Sequence, residues 1–331
     1  MNNFSDLSNQ KILITGGLGF IGSNLAHKCL DLGAKVTVYD CLDPRSGGNL
    51  HNIQNIKNSI EVVYNDILHF DWLSQHVVNK DIVFNCAAST SHPFSMKEPW
   101  IDLDVNSKGV INLLEAIRRS NREVKLVHIG TTTQLGKLHY QPADEHHPEF
   151  PMDMYSANKM VAEKYVLLYA KAYSIKATVI RLPNVIGPRA AIHSSEFTFN
   201  NYFIGLALQN KSITVYTPGT QLRNVLYVDD AVDALITAAE ADGAAGEAFF
   251  AAGKEHYSVK DIAEKTCEII GGAVEMVEWP KTRKVTEIGD AIISNNKINK
   301  ILKWTPVVTL EEGLMKAKEY YEDCLDKYIE E

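Results

Sequence analysis

Tyr155 and Lys159 are the two residues whose types and spacing point most directly to proton-transfer chemistry. They stand four positions apart in a segment of helical pattern, so they share one face of that helix. A tyrosine with its reference pKa of about 10 is a poor base at neutral pH, but an adjacent ammonium favours the phenolate. The Thr131 hydroxyl, at the end of a predicted strand, can hold a substrate oxygen while the proton moves. We therefore expect Thr131, Tyr155 and Lys159 to be the catalytic residues.

A Y-x-x-x-K spacing occurs by chance in many helices, so its meaning depends on the rest of the chain. Near the N-terminus the apolar run 12–14 predicts a buried parallel strand, and Phe20 begins a helical pattern. Between them, Gly17, Gly19 and Gly22 fit G-x-G-x-x-G. Glycines in such a turn permit close approach to a pyrophosphate and tight packing of helix on strand. The strand–turn–helix context predicts a dinucleotide site.

Asp40 indicates which dinucleotide is bound. It ends the second predicted strand, 35–39, about 20 residues beyond the glycine turn, as the dinucleotide pattern requires. A carboxylate there accepts hydrogen bonds from both ribose hydroxyls and repels a 2′-phosphate. This favours NAD over NADP, and the nearby Arg45 would weaken the preference. Without the glycine turn upstream, Asp40 would be interpreted only as the end of a strand.

Strands and helices alternate through the first half of the chain, which predicts a doubly wound α/β fold with a parallel sheet (Rossmann). The expected strands after the first two are 61–64, 81–85, 125–129 and 177–182, and the long helices are 100–120 and 154–173. We expect a dinucleotide-binding domain at 9–182. A smaller C-terminal α/β substrate-binding domain follows at 183–331, from which about 229–252 returns to the first domain.

Composition excludes several classes of protein. The net charge of −8 argues against non-specific nucleic-acid binding, which needs a basic face. Five scattered cysteines without a C-x-x-C pair suggest reduced thiols in a cytoplasmic protein. No apolar run approaches the ~20 residues of a membrane span, and the first ten residues lack the pattern of a signal peptide. The adjacent His146 and His147 have no further ligands at metal-binding spacing, so we expect no metal.

These motifs together resemble those of the extended short-chain dehydrogenase/reductases, specifically the NAD-dependent epimerase/dehydratase family. The resemblance extends over nearly the whole chain in the family's order. It rests on the segments 15–22, Asp40, 66–67, 87–88, Asn106, Thr131, Tyr155 with Lys159, 181–189, 223–230 and 304–306.

The resemblance implies NAD as cofactor, a nucleotide diphosphate sugar as substrate and a homodimer in which helices 100–120 and 154–173 pack as a four-helix bundle. The implied cofactor-binding residues are Gly16, Gly19, Phe20, Ile21, Asp40, Asp66, Ile67, Ala87, Ala88, Asn106, Tyr155, Lys159 and Pro183. The implied substrate-binding residues are Ser89, Thr132, Thr133, Asn184, Arg189 and Arg223. Arg223 would pair with the diphosphate. For Arg189 and Arg181, ion pairs near the domain joint are an equally good interpretation.

Departures from the family pattern bear on the reaction. Dehydratases of the family carry an Asp-Glu pair directly after the catalytic threonine, and decarboxylases a Glu two places on, where this chain has Thr132 and Thr133. No carboxylic acid is therefore evident to protonate a departing 6-hydroxyl, which favours epimerisation, most simply at C4. Asn224 replaces a frequent Asp after the diphosphate arginine, so we expect that loop to be held differently.

Four alternatives stay open. Within the family, the chain would be a 4-ketoreductase, a 4,6-dehydratase that takes its acid from elsewhere, or an epimerase at C2, C3 or C5. Outside enzymes, it would be a non-catalytic cofactor-sensing or scaffold protein. The intact Tyr155 and Lys159 pair argues against that last alternative.

Overall fold

A parallel sheet of seven strands forms the centre of the fold. The computed structural model describes residues 6–280 and 287–329; residues 1–5, on which the expectation about a signal peptide partly rests, lie outside them. The strands are β1 (Lys11–Thr15), β2 (Lys35–Asp40), β3 (Glu61–Tyr64), β4 (Ile82–Asn85), β5 (Lys125–Thr131), β6 (Lys176–Leu182), β7 (Asn184–Ile186), β8 (Ser212–Tyr216), β9 (Leu222–Tyr227), β10 (Ala248–Phe250), β11 (His256–Ser258) and β12 (Ala273–Val277).

Helices cover both faces of this sheet. They are α1 (Phe20–Asp31), α2 (Phe70–Val77), α3 (His92–Lys97), α4 (Pro99–Leu103), α5 (Gly109–Ser120), α6 (Met154–Tyr173), α7 (Phe199–Leu208), α8 (Val228–Glu240), α9 (Val259–Ile269), α10 (Asn296–Leu302) and α11 (Leu310–Glu322). None of the helices in the described ranges is long and apolar enough to cross a bilayer.

The strand order of the main sheet is β10-β6-β5-β4-β1-β2-β3, and all of its pairings are parallel. The chain runs from β1 outward to β3, then returns to the other side of β1 and continues outward from β4. The reversal opens a crevice beyond the carboxyl ends of β1 and β4, which is where open α/β sheets bind ligands. The predicted doubly wound fold is confirmed.

The apolar strands explain the two-sided core. Ile12 and Ile14 of β1 pack in the hydrophobic cluster that includes Leu25 of α1 and Leu235 of α8, while Leu13 packs in the second cluster with Leu113 of α5. Alternate residues of a strand face opposite sides, so a strand buried on both sides must be apolar throughout.

The second half of the chain forms two small sheets, β11-β9-β7 and β12-β8. Strand β10 leaves this half and pairs in parallel with β6 at the edge of the main sheet, and α8 packs against α1. The segment 228–250 thus lies with the main sheet, although it follows β7, β8 and β9, which belong to the two small sheets.

The predicted long helix 100–120 is interrupted. Helix α4 ends at Leu103, Asp104–Lys108 form a π-helical turn, and α5 begins at Gly109. Such single π turns are frequent at functional sites. The turn contains Asn106, whose side chain donates to the Ser89 carbonyl (2.8 Å) and accepts from the Ser89 N–H (3.2 Å). The turn therefore fixes the loop that follows β4.

Candidate active site

The glycine turn between β1 and α1 is shaped by contacts that allow no side chain. Gly16 has φ +68°, and a Cβ on it would lie 2.6 Å from the Ala87 nitrogen. A Cβ on Gly22 would lie 2.2 Å from the Gly16 carbonyl oxygen, so α1 packs directly against the turn. Gly19 caps α1, and no side chain bonds to the helix start. The free N–H groups of that first turn suit a phosphate.

Asp40, at the end of β2, is buried beside this turn. One carboxylate oxygen accepts from the Leu18 N–H (2.9 Å) and the other from the Leu42 N–H (2.8 Å). Burial raises the pKa of Asp40, although the two backbone hydrogen bonds oppose the rise. Each oxygen keeps a further lone pair that can accept from a ribose hydroxyl. Arg45 is held away from this task, because it pairs with both oxygens of Asp43 (2.9 and 2.6 Å).

One continuous cavity runs from the glycine turn to the carboxyl ends of β5 and β6. Most residues expected to bind cofactor or substrate line it: Gly16, Gly19, Phe20, Ile21, Asp40, Asp66, Ile67, Ala87, Ala88, Ser89, Thr131, Thr132, Thr133, Tyr155, Lys159, Pro183 and Asn184. The structure does not include Asn106, Arg189 or Arg223 in this wall.

Tyr155 lies in the first turn of α6, where its backbone N–H donates to Ser95 Oγ (3.0 Å). The Thr131 side chain lines the same cavity and acts to lower the pKa of Tyr155. Burial raises the pKa of Tyr155, and the carboxylates of Asp102 and Asp153 add to the rise. Lys159 is not among the groups that shift the pKa of Tyr155, so the lowering expected from its ammonium is not seen in the protein alone.

Lys159 is buried one turn further along α6, with 3% of the residue exposed. Its Nζ donates to the Ile129 carbonyl (2.5 Å) at the end of β5. Burial lowers the pKa of Lys159 to about 8, while the charges of Cys86, Asp102 and Glu163 oppose this. The ammonium is thus anchored on the sheet within the same cavity wall as Tyr155.

A chain of hydroxyl groups holds Thr131. Its Oγ1 lies 3.0 Å from Thr133 Oγ1 and accepts from the Thr133 N–H (3.2 Å). Ser156 Oγ donates to Thr133 Oγ1 (2.9 Å), so the chain continues onto α6 beside Tyr155. Thr133 thus supports the Thr131 hydroxyl, and positions 132 and 133 contribute no carboxylate.

The predicted arginines are bonded to the protein itself. Arg189 Nη1 donates to Asn24 Oδ1 (2.7 Å), and its guanidinium lies 5.3 Å from the centre of the Tyr320 ring. Arg181 pairs with Glu149 and Glu163. The contacts of Arg181 are ion pairs, as one interpretation expected, whereas Arg189 contacts an amide and an aromatic ring. The substrate role of Arg189 stays a prediction.

Arg223 is also occupied. It donates to Glu287 Oε1 (2.7 Å) and to the Gly289 carbonyl (2.6 Å). Its neighbour Asn224 holds the loop after β10, because Nδ2 donates to the carbonyls of Gly253 and Glu255 (3.1 Å each). An aspartate, the residue frequent at this position in the family, could not donate these two bonds. Asn224 therefore suits this loop.

His92 is one of the cavity residues that the sequence analysis did not identify. It follows Asn85, the last residue of β4, by seven positions and lines the cavity beside Tyr155. Its place in a loop beyond the carboxyl end of a parallel strand was the available signal. Of the two histidines that were considered, His147 accepts from the His139 N–H (2.9 Å) and His146 is exposed. Within residues 6–280 and 287–329, no three His, Cys, Asp or Glu side chains form a metal-binding group.

Comparison with known proteins defines the class. A profile described as the NAD dependent epimerase/dehydratase family matches residues 12–252. The UDP-glucose 4-epimerase of Mycolicibacterium smegmatis is 30% identical over 94% of this chain and 98% of its own length. The chain therefore belongs to the NAD-dependent epimerase/dehydratase family, as the motifs predicted.

Solved structures agree with this and include more than one reaction. The UDP-glucose 4-epimerase of Thermotoga maritima, with UDP-glucose, is 27% identical with a TM-score of 0.86, covering 96% of this chain and 100% of its own. The dTDP-glucose 4,6-dehydratase of Bacillus anthracis, in complex with NAD, is 26% identical with a TM-score of 0.83, covering 96% and 98%. The protein is thus an enzyme of this family, and NAD is its cofactor.

The site fits NAD on its own geometry. The uncapped start of α1 would take the pyrophosphate, and Asp40 the adenosine ribose. Ala87 and Ala88 leave space beyond β4, and Tyr155 and Lys159 lie at the far end of the same cavity. Asn106 would act through the Ser89 loop that it holds.

Proposed function

We propose that the protein is an NAD-dependent nucleotide-sugar epimerase that inverts C4 through a transient 4-keto sugar. The observation that carries the proposal is that Tyr155, Lys159 and Thr131 line the same cavity, with hydroxyls and no carboxylic acid at positions 132 and 133. The UDP-glucose 4-epimerases among its relatives support the choice of reaction.

Each residue has a defined task in this reaction. Tyr155 takes the proton of the sugar O4 hydroxyl and later returns it, while Thr131 holds the same oxygen. Lys159, cationic below a pKa of about 8, would favour the phenolate together with the positive charge of the nicotinamide ring, since the protein's own groups leave the pKa of Tyr155 raised. Bound NAD would supply a hydride acceptor for C4 and the same hydride for its return, so that no net reduction would occur. Between the two transfers the keto sugar must turn over in the cavity, so that its other face receives the hydride.

The nucleotide diphosphate would lie on the substrate side of the cavity, which Asn184 lines. We assign the diphosphate contact to Arg223, because a guanidinium bonds two phosphate oxygens at once. Arg223 must then exchange its present bond to Glu287 for the substrate. Ser89, Thr132 and Thr133 line the cavity near Tyr155 and would contact the sugar.

Two properties of the whole protein belong to the same proposal. All five cysteines are free, which supports a reducing, cytoplasmic location. Exposed apolar side chains on α4 and α6, among them Trp100 and Leu168, support a homodimer built on those helices.

The deciding experiment supplies purified protein with UDP-, GDP-, CDP- and dTDP-sugars without added reductant and identifies products by NMR. A C4 epimer formed without net change in NADH is expected. A requirement for added NAD(P)H would instead indicate a 4-ketoreductase, and a 6-deoxy product a 4,6-dehydratase. A panel without any product would favour the non-catalytic alternative.

Tyr155→Phe tests the assigned base. We expect its kcat to fall by about 10² to 10⁴, since a positioned acid–base group contributes that much. The thermal unfolding temperature and the bound NAD should match the wild type. Tyr140→Phe is the matched control, because Tyr140 is exposed and bonds Asp144 outside the cavity. A Tyr155→Phe enzyme with wild-type turnover would refute the assignment.

A further inference from the structure

His92 is the first residue of α3 and stands in the cavity wall next to the catalytic tyrosine. Ser91 caps the helix by accepting from the Phe94 N–H (3.1 Å), which fixes the backbone on either side of His92. The imidazole packs edge-on against the Tyr155 ring, with centroids 4.7 Å apart and planes at 67°. An imidazole is therefore held against the phenol in the cavity wall.

Asp153 fixes the orientation of this imidazole. Its carboxylate lies 2.7 Å from His92 Nδ1 and also accepts from the Ser156 N–H (2.7 Å) at the start of α6. Burial acts to raise the pKa of Asp153, but the bond to His92 and the remaining contacts outweigh it and lower the pKa. An ionised carboxylate can only accept, so Nδ1 is the donor.

The other ring nitrogen is available for chemistry. Among residues 6–280 and 287–329, no side chain or backbone group hydrogen-bonds His92 Nε2. An imidazole whose Nδ1 is oriented by a carboxylate and whose Nε2 faces a reaction site is the base-and-orienter arrangement of many hydrolases. Epimerisation at C4 does not require it, since Tyr155 already serves O4.

The transient ketone of the proposed function supplies a proton that suits imidazole. Once C4 is a carbonyl, the hydrogens on C3 and C5 become acidic, because the carbanion is delocalised onto O4. Sugar hydroxyls stay far less acidic than imidazolium. Imidazole is the side chain that both takes and gives protons near neutral pH. No carboxylic acid at 132 or 133 competes for this task.

We propose that His92, oriented by Asp153, is a second acid–base residue that removes and returns the proton on a carbon adjacent to the C4 ketone. The C–H bond breaks, the proton goes to Nε2, and the electron pair forms a C=C bond as O4 takes the negative charge. Thr131 and Tyr155 donate to that oxygen. Return of the proton to carbon closes the step, which therefore needs no oxidant or reductant. The inference depends on the proposed function only for the source of the ketone.

Its test supplies the ketone directly. The holoenzyme is incubated in D₂O with UDP- and dTDP-4-keto-6-deoxyhexose, and NMR measures deuterium at C3 and C5. We expect incorporation at one of these carbons at about 100 times the rate without enzyme, and a fall of about 100-fold in His92→Gln. His146→Gln, the same change on an exposed loop, should exchange like the wild type.

Asp153→Asn keeps an N-cap residue for α6 but loses the carboxylate, so it should exchange about tenfold more slowly even if His92→Gln fails to fold. Exchange at the background rate in the wild type, or undiminished exchange in a folded His92→Gln, would overturn the proposal. Failure of the proposed function appears separately, because 4-hydroxy sugars would then show no C4 inversion while exchange from the ketone continues.

Discussion

The cofactor end and the substrate end of the cavity are constructed in different ways. At the cofactor end the glycine turn and the Asp40 carboxylate are held by neighbouring backbone and face the cavity. On the substrate side the cation assigned to the diphosphate, Arg223, is bonded to Glu287, 64 positions away in the chain. The cofactor end is therefore organised before binding, whereas Arg223, in its proposed role, would have to change partners to bind substrate.

This contrast has a consequence for mutations. Where backbone forms the site, a single added methyl group has no side chain to displace and must move the chain. Where side chains form the site, a substitution removes one hydrogen-bond partner, and the remaining side chains can bond elsewhere without movement of the backbone. We therefore expect the largest effects at the glycine turn and smaller, ligand-dependent effects around Arg223.

Gly22→Ala should have the largest effect. Its Cβ would lie 2.2 Å from the Gly16 oxygen and 2.8 Å from the Gly17 Cα, both backbone atoms. Moving α1 away from the turn costs about 3 kcal/mol of unfolding free energy and separates the helix start from the phosphates. We expect the Kd for NAD, measured by calorimetry, to rise about 100-fold.

Gly243→Ala is the matched control for that change, because a Cβ there would meet only Ile301 at 3.4 Å, an ordinary contact. Its NAD affinity and stability should stay near those of the wild type. Wild-type NAD affinity in Gly22→Ala would contradict the assignment of the glycine turn as the pyrophosphate site.

Local sequence patterns predicted the cofactor end because its determinants are neighbours in the chain. A strand, a glycine turn and a helix within residues 11–31 fix the pyrophosphate site, and Asp40 ends the next strand. Tyr155 and Lys159 could be paired for the same reason, since helix geometry puts i and i+4 on one face.

The remaining features depend on contacts between distant segments. His92 and Asp153 are 61 positions apart, and Arg189 and Asn24 are 165 apart. No periodicity encodes such pairs, so Arg189 and Arg223 could be recognised as cations but their partners could not. The π-helical turn at Asp104–Lys108 was missed because the apolar spacing of the segment is that of an ordinary helix.

Asn224→Asp tests the hydrogen bonds by which Asn224 holds the loop after β10. The new carboxylate would face the carbonyls of Gly253 and Glu255, to which the amide now donates, in a buried position. An uncompensated buried charge costs about 3 kcal/mol, so the urea midpoint at pH 7 should fall with little change in slope. NAD affinity should change much less than in Gly22→Ala.

Asn210→Asp provides the comparison for Asn224→Asp. Asn210 is exposed and uses only its Oδ1, which accepts from the Gly272 N–H (3.1 Å), so aspartate keeps the bond. We expect a change within about 0.5 kcal/mol. Equal effects of the two substitutions would show that the hydrogen bonds from Asn224 Nδ2 to the Gly253 and Glu255 carbonyls contribute little to the stability of the protein.

Arg223→Ala addresses the proposed exchange of partners. A lost charged hydrogen bond to the diphosphate costs about 2 kcal/mol, so KM should rise about 30-fold with kcat nearly constant. Glu287→Gln should lower KM, because a neutral amide competes less with the diphosphate for the guanidinium. Arg122→Ala, on an exposed arginine that bonds only a backbone carbonyl, controls for loss of charge. An unchanged KM in both test variants would make Arg223 a structural residue.

Leu168→Glu should have the smallest effect on turnover while testing the proposed dimer. On α6, Val161, Tyr165, Leu168 and Ala172 share one face at helical spacing, and Leu168 is 57% exposed in the single chain. This exposure argues against the alternative that the face is buried within one subunit.

A charge at the centre of this face of α6 should raise the dimer Kd at least about tenfold in sedimentation experiments, with kcat unchanged. Met315→Glu, equally apolar and exposed but on α11, should leave the dimer intact. A wild-type protein that sediments only as a monomer at micromolar concentration would exclude the dimer, and the cavity, which lies within one chain, would then have to act without a partner.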